Sequence, residues 1–229
     1  MKIPTTDSHK EISIEEARTA FRDGRFADAE QLCQRVLVSQ PESIDAMNLL
    51  GVIMARSQRA ALAAQILSKA SNLCPSRADV RGNLGNVLHD LKRYDEALEQ
   101  FDIAIRISPE NAQFSYYRGI VLRDLGRQEE ARMSFKSACD SNPRDLEFLY
   151  GYGITLLESK CHVEALNEFD AILSISPKHA HAWHMRGVAL RHLGRLDEAL
   201  QSLNRALADS PDRGPCLFDR ANLLCELSQ

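Results

Sequence analysis

Six of the eight prolines in this 229-residue chain, Pro41, Pro75, Pro109, Pro143, Pro177 and Pro211, follow one another at intervals of 34 residues. A fixed period of that length marks a repeat architecture, in which each unit is one supersecondary element that buries its apolar face only against its neighbours. With the prolines set at repeat position 32, units begin at Lys10, Ile44, Ala78, Ala112, Leu146 and Ala180. The expected organisation is a flexible segment over 1–9, six repeats (10–43, 44–77, 78–111, 112–145, 146–179 and 180–213), and the first helix of a seventh over 214–229.

Other columns hold the same register. Position 20 is alanine in all six repeats, Ala29, Ala63, Ala97, Ala131, Ala165 and Ala199. Position 8 reads Ala17, Gly51, Gly85, Gly119, Gly153, Gly187 and, in the partial repeat, Ala221. Position 24 reads Cys33, Leu67, Phe101, Phe135, Phe169 and Leu203, and position 11 is apolar throughout. Small residues at 8 and 20 suit two helices crossing closely, with large apolar residues at 11 and 24 filling the space beside the crossing. The proline lies just past the second helix, where it cannot continue that helix. Breaks such as Gly126-Arg127-Gln128 and Gly194-Arg195 separate a first helix, A, from a second, B.

These columns resemble the tetratricopeptide repeat over nearly the whole chain. The sixth unit carries the pattern most fully, with Trp183, Gly187, Leu190, Ala199 and Pro211 at the family spacing and Leu203 in place of the usual aromatic. The first departs most, with Ala17, Cys33 and Val36 at the positions of glycine, aromatic and alanine. The resemblance implies an all-α solenoid, a right-handed superhelix of antiparallel helix pairs whose A helices line a concave groove. It also implies that positions 2, 5, 9, 12 and 13 face that groove. The third repeat, Arg81-Gly82-Asn83-Leu84-Gly85-Asn86, is similar to the asparagine-bearing repeats of O-linked N-acetylglucosamine transferases, where asparagine amides grip peptide backbones.

On that basis the candidate groove residues are Asn48, Asn83, Asn86, Tyr116, Ile120, Arg123, Tyr150, Ile154, His184, Arg191, Phe218 and Asn222. Position 5 runs Tyr116, Tyr150, His184, Phe218 over the last four repeats, an aromatic ladder beside the apolar position 9. Such a strip suits a peptide with a few large apolar anchors. The alternative is that these side chains pack between neighbouring A helices and meet no ligand. The carboxylate clamp of chaperone-tail-binding members is absent. Gly82, Tyr117, Glu147 and Gly151 stand where that clamp needs lysine, asparagine and basic residues.

Composition narrows the function classes. A net charge of −4 supplies no electrostatic footprint for nucleic acid. No stretch is apolar for the length a membrane span needs, and the first ten residues lack a signal-peptide core. The six cysteines are scattered with no C-x-x-C pair, which points to buried thiols in a reducing, cytoplasmic setting. His181, His184 and His192 share one helix face but lack an accompanying carboxylate or cysteine at ligand spacing, so no metal or other cofactor is expected. No phosphate loop or nucleophile motif appears, and the chain reads as a non-catalytic scaffold for a protein or peptide partner.

The alternative is the recruiting arm of a larger enzyme, such as a glycosyltransferase. After Pro211 the chain supplies a helix A from about Pro215 to Leu227 and no helix B, leaving Leu217, Ala221 and Leu224 without their usual cover. That suggests a piece of a longer protein or, failing that, a homodimer through the C-terminal helix.

Overall fold

Two kinds of turn alternate along the chain, and each is dictated by a few residues. A computed structural model describes residues 13–209 and 214–228; the expectations for segment 1–9, for the start of the first repeat at Lys10 and for Pro211 lie outside them. Among the described residues there are thirteen α-helices and no strands: α1 Ile14–Arg22, α2 Phe26–Ser39, α3 Ile44–Arg56, α4 Ala60–Leu73, α5 Ala78–Asp90, α6 Tyr94–Ile107, α7 Ala112–Asp124, α8 Gln128–Ser141, α9 Leu146–Glu158, α10 His162–Ile175, α11 Ala180–His192, α12 Leu196–Asp209 and α13 Gly214–Leu227. Odd numbers are A helices and even numbers B helices, a tandem array of helix pairs of the all-α solenoid class. The array divides into two compact bodies, α1–α6 and α7–α13.

The A-to-B turn always places position 15 in the left-handed region. Gly24, Gly126 and Gly194 have φ of 73–78°, and Gln58, Lys92 and Lys160 adopt 59–61° at the same position. That residue lets the next N–H, at position 16, reach back to the carbonyl at position 11, as Arg93 does to Leu88 and Cys161 to Leu156, both at 2.8 Å. Position 15 meanwhile donates to position 12, so two otherwise orphaned carbonyls are satisfied in a Schellman turn. Position 16 is arginine in five repeats, and its side chain runs onto the first turn of the B helix. Arg25 pairs with Asp28, Arg93 with Glu96, Arg127 with Glu130 and Arg195 with Glu198. Where position 19 is Leu62, Arg59 turns instead to Glu30 on the preceding B helix.

The B-to-A turn contains the proline and ends on a capping residue at position 34. Ser43, Asn111, Asp145 and His179 each accept from a backbone N–H in the first turn of the next helix. The core is the crossing foreseen from the columns. Phe101, Phe135, Phe169, Leu67 and Leu203 are fully enclosed, and a Cβ added to the glycine beneath each would lie 2.5–3.0 Å from that side chain. Glycine is therefore required there by space, not by backbone conformation.

Candidate functional site

Each repeat leaves one face of its A helix uncovered by its own B helix, and the residues at positions 5, 6 and 9 decide what that face offers. In the N-terminal body it is polar and internally bonded. Arg77 bridges Asp45 and Asp79, at 3.1 and 2.7 Å, and Arg18 reaches Asp45 from α1 at 3.1 Å. Hydrogen bonding from the Arg77 guanidinium holds the Asp79 carboxyl below the usual carboxylate range, against the opposing cost of burial. The Asn48 amide donates to Asp79 at 3.0 Å, and Asn83 donates to the Asn48 carbonyl at 2.8 Å. Two of the three candidate asparagines are thus engaged with one another, while Asn86, half-buried, follows one turn along α5.

In the C-terminal body the position 5 side chains do not form a uniform ladder. Tyr116 on α7 is 8% exposed. Its ring stacks on Phe148 at 5.0 Å and meets the edge of Phe135 at 5.5 Å. Gly151 on α9 makes room for it, since a Cβ there would come within 2.9 Å of the ring. Burial, then the nearby Glu147 carboxylate, pushes the Tyr116 phenol well above its ordinary value. His184 on α11 is 5% exposed and its Nε2 lies 2.7 Å from the Asp219 carboxylate on α13. Phe218 on α13 is 66% exposed and Asn222 half-buried.

Tyr150 is the position 5 residue left half-open between these. Its ring lies 6.0 Å from His179 and 6.2 Å from His181, which are themselves 6.2 Å apart. The His179 Nδ1 accepts the Ala182 N–H at 3.0 Å as the helix cap. The neutral ring therefore carries its proton on Nε2, on the side away from the backbone. Beside Tyr150, position 9 contributes Ile120, Ile154 and Val188 from three successive A helices, each half-buried. Arg123 lies at the edge with its guanidinium 5.8 Å from the Phe135 ring, and Arg191 pairs with Glu226.

One rule unites these contacts and was missed in the sequence. Position 5 of one repeat meets position 6 of the next, a separation of 35: Asn48 with Asn83, Tyr116 with Gly151, His184 with Asp219. The partners are matched as amide to amide, ring to glycine and imidazole to carboxylate, so the pairs were visible at the period plus one. The three histidines of α11 also separate. His181 is exposed, His184 is bound to Asp219, and His192 stacks on His162 of α10 at 4.5 Å with a 6° interplanar angle. Among the described residues no group of three or more His, Cys, Asp or Glu side chains is arranged to hold a metal. No described helix is long and apolar enough to cross a membrane.

The comparisons with known proteins agree with this architecture. The chain resembles the solved structure of YrrB, described as a TPR protein with an unusual peptide-binding site, at 25% identity with a TM-score of 0.70, over 82% of this chain and 97% of that one. It superposes on PilF of Pseudomonas aeruginosa with a TM-score of 0.79 at 19% identity, covering 93% and 95% of the two chains. A tetratricopeptide repeat protein from Parabacteroides merdae shares the fold at 16% identity and a TM-score of 0.73, over 94% and 85%. No curated protein matches the sequence. The tetratricopeptide repeat model matches at 14–78, 56–112, 83–145, 118–180 and 164–213, and with the helix pairs and their glycine–aromatic crossings this places the chain in the tetratricopeptide repeat family.

Proposed function

We propose that this protein is a non-catalytic, cytoplasmic scaffold that binds an extended or helical peptide segment of a partner protein on the A-helix face of its C-terminal body. The observation that carries this is the strip of Ile120, Ile154 and Val188, half-open apolar side chains on three successive A helices beside the half-open Tyr150. Apolar anchors in such a strip supply affinity, and the polar edge at Arg123 and Asn222 sets register. Position 5 contributes mainly through Tyr150, because Tyr116 and His184 are spent on neighbouring A helices. The similarity to YrrB, a protein described by its peptide-binding site, supports the same reading.

Phage-displayed peptides selected on the full chain test it. Selected sequences should carry two or more large apolar residues and lose at least tenfold in affinity against Ile154→Glu, whose side chain is half-exposed in the fold. Affinity kept by a folded Ile154→Glu, Tyr150→Ala variant would rule this face out.

A further inference from the structure

One B helix breaks the pattern of the other five. Position 19 is acidic in five repeats, Asp28, Glu96, Glu130, Glu164 and Glu198, and in the second it is Leu62. Helix α4 is also the one B helix with no acidic residue anywhere along it, from Ala60 to Leu73. Its positions 19, 23, 26 and 30 are Leu62, Ile66, Lys69 and Leu73, spacings that set all four on one face of the helix. Leu62 and Leu73 are 46% and 43% exposed, Ile66 is half-buried and Lys69 is exposed. Lys69 makes no ion pair among the described residues.

Beside that face lies a cleft of about 210 Å³, lined by Leu37 at the end of α2, Pro41 in the turn, Met47 on α3, and Ile66 and Lys69 on α4. Leu37 stands at position 28 of the first repeat, and Met47 and Ile66 at positions 4 and 23 of the second. One repeat on, the same three positions are Ser71, Arg81 and Gln100. There a polar bridge spans the groove, with Arg81 donating to the Gln100 Oε1 at 2.7 Å and to the Ser71 carbonyl at 3.3 Å. Leu37, Met47 and Ile66 have no groups with which to make such a bridge, and the cleft between them stays open. It has the volume of roughly seven waters at about 30 Å³ each. Water held between apolar walls is favourably displaced by an apolar side chain. The rim is cationic on the α4 side at Lys69, while Glu42 is exposed in the turn at Pro41. An acidic residue of an incoming segment is therefore drawn to α4 and kept off the turn, which orients the segment.

We propose that the α4 face and its cleft are a second docking site, for a segment of a partner protein that seats one large apolar side chain between Leu37, Met47 and Ile66 and pairs an adjacent aspartate or glutamate with Lys69. Leu62 and Leu73 extend the apolar contact along the helix. The site lies within the N-terminal body and shares no residue with the strip at Ile120, Ile154 and Val188.

Random peptides displayed on phage test it, selected on the full chain carrying Tyr150→Ala and Ile154→Glu to disable the C-terminal strip. Enriched sequences should pair a large apolar residue with Asp or Glu one or two places away. A fluorescein-labelled copy of an enriched peptide should lose at least tenfold in affinity, by anisotropy, against Lys69→Glu, whose side chain is exposed. It should lose as much against Leu37→Ser, Met47→Arg, Ile66→Gln, which copies the Ser71–Arg81–Gln100 bridge into the cleft. With 13C-methyl methionine in the chain, the Met47 resonance should shift on binding and that of Met133 should not. Four outcomes overturn the proposal. These are no enrichment of acidic–apolar sequences, affinity unaffected by Lys69→Glu, binding seen only after residues 1–11 are removed, or a concentration-dependent mass of the chain alone that Lys69→Glu abolishes. The third would make the chain's own segment the occupant, and the fourth a second copy.

Discussion

At the scale of single residues, the fold depends on size matching across the A–B crossing. A Cβ at Gly153 would lie 2.8 Å from the Phe169 ring, which is fully buried and has nowhere to move. Gly153→Ala should therefore cost about 1–3 kcal/mol by overpacking, offset only in part by better helix propensity. In a Phe169→Cys background, which imitates the Ala17–Cys33 crossing, the same substitution should be neutral or stabilising. A double-mutant cycle by urea denaturation reads the coupling. Charge is the second residue-scale issue. Burial, reinforced by repulsion from Asp140, raises the Glu168 carboxyl above its ordinary value. The folded state thus holds that proton more tightly than the unfolded chain. Its cost is absent below the ordinary glutamate pKa, grows as pH rises through the folded value, and is complete at neutrality. Glu168→Gln should raise the melting temperature at pH 7 and lose that advantage near pH 4, measured by thermal melts across the range. The same burial pushes the Cys33 thiol to about 11 and the Cys139 thiol to about 12, consistent with cysteines that act as small hydrophobes.

At the scale of elements, the A-to-B turn is the point where one helix ends and the next is aimed. All six turns hold position 15 at positive φ, yet only three use glycine there. A side chain in this region costs about 1 kcal/mol, part of which is regained because glycine has more freedom to lose on folding. Lys160→Gly, at φ 61°, should accordingly stabilise by roughly 0.5–1 kcal/mol, and Gly194→Ala, at φ 73°, should destabilise by a similar amount. Paired chemical denaturations of the two variants check both signs. Lys160 is the sharper case because its turn also lacks the arginine that in four other repeats ties the turn to its own B helix, with Cys161 standing in that place.

At the scale of the whole molecule, packing is between neighbours. Within each body, helices contact the next helix in sequence and, more sparsely, the next A helix. Stability in such an array is a sum of repeat and interface contributions, so damage should stay local. Removing the enclosed Phe101 ring with Phe101→Ala costs about 3–5 kcal/mol at its own crossing. Amide exchange should accelerate first in α5 and α6 and then in α4, while α9–α12 remain protected. A uniform loss of protection along the chain would show instead that the array unfolds as one cooperative unit.

The period, the columns of small and large residues and the proline turns were sufficient to define an all-α array of helix pairs. Each of those features acts within one repeat, through volume at a crossing or through a backbone conformation, and so repeats visibly along the sequence. The candidate site was legible only as a list of positions. Whether a position 5 side chain meets a ligand or a neighbour depends on how adjacent A helices are offset, and that offset brings position 5 against position 6 of the next repeat. Tyr116 is enclosed because Gly151 is small and His184 because Asp219 lies within reach, while Asn48 is engaged by Asn83 and Asp79. Tyr150 stays half-open beside His179 and His181. These outcomes rest on pairs of residues from different repeats, and only the tertiary arrangement, which brings side chains 35 residues apart into contact, decides them.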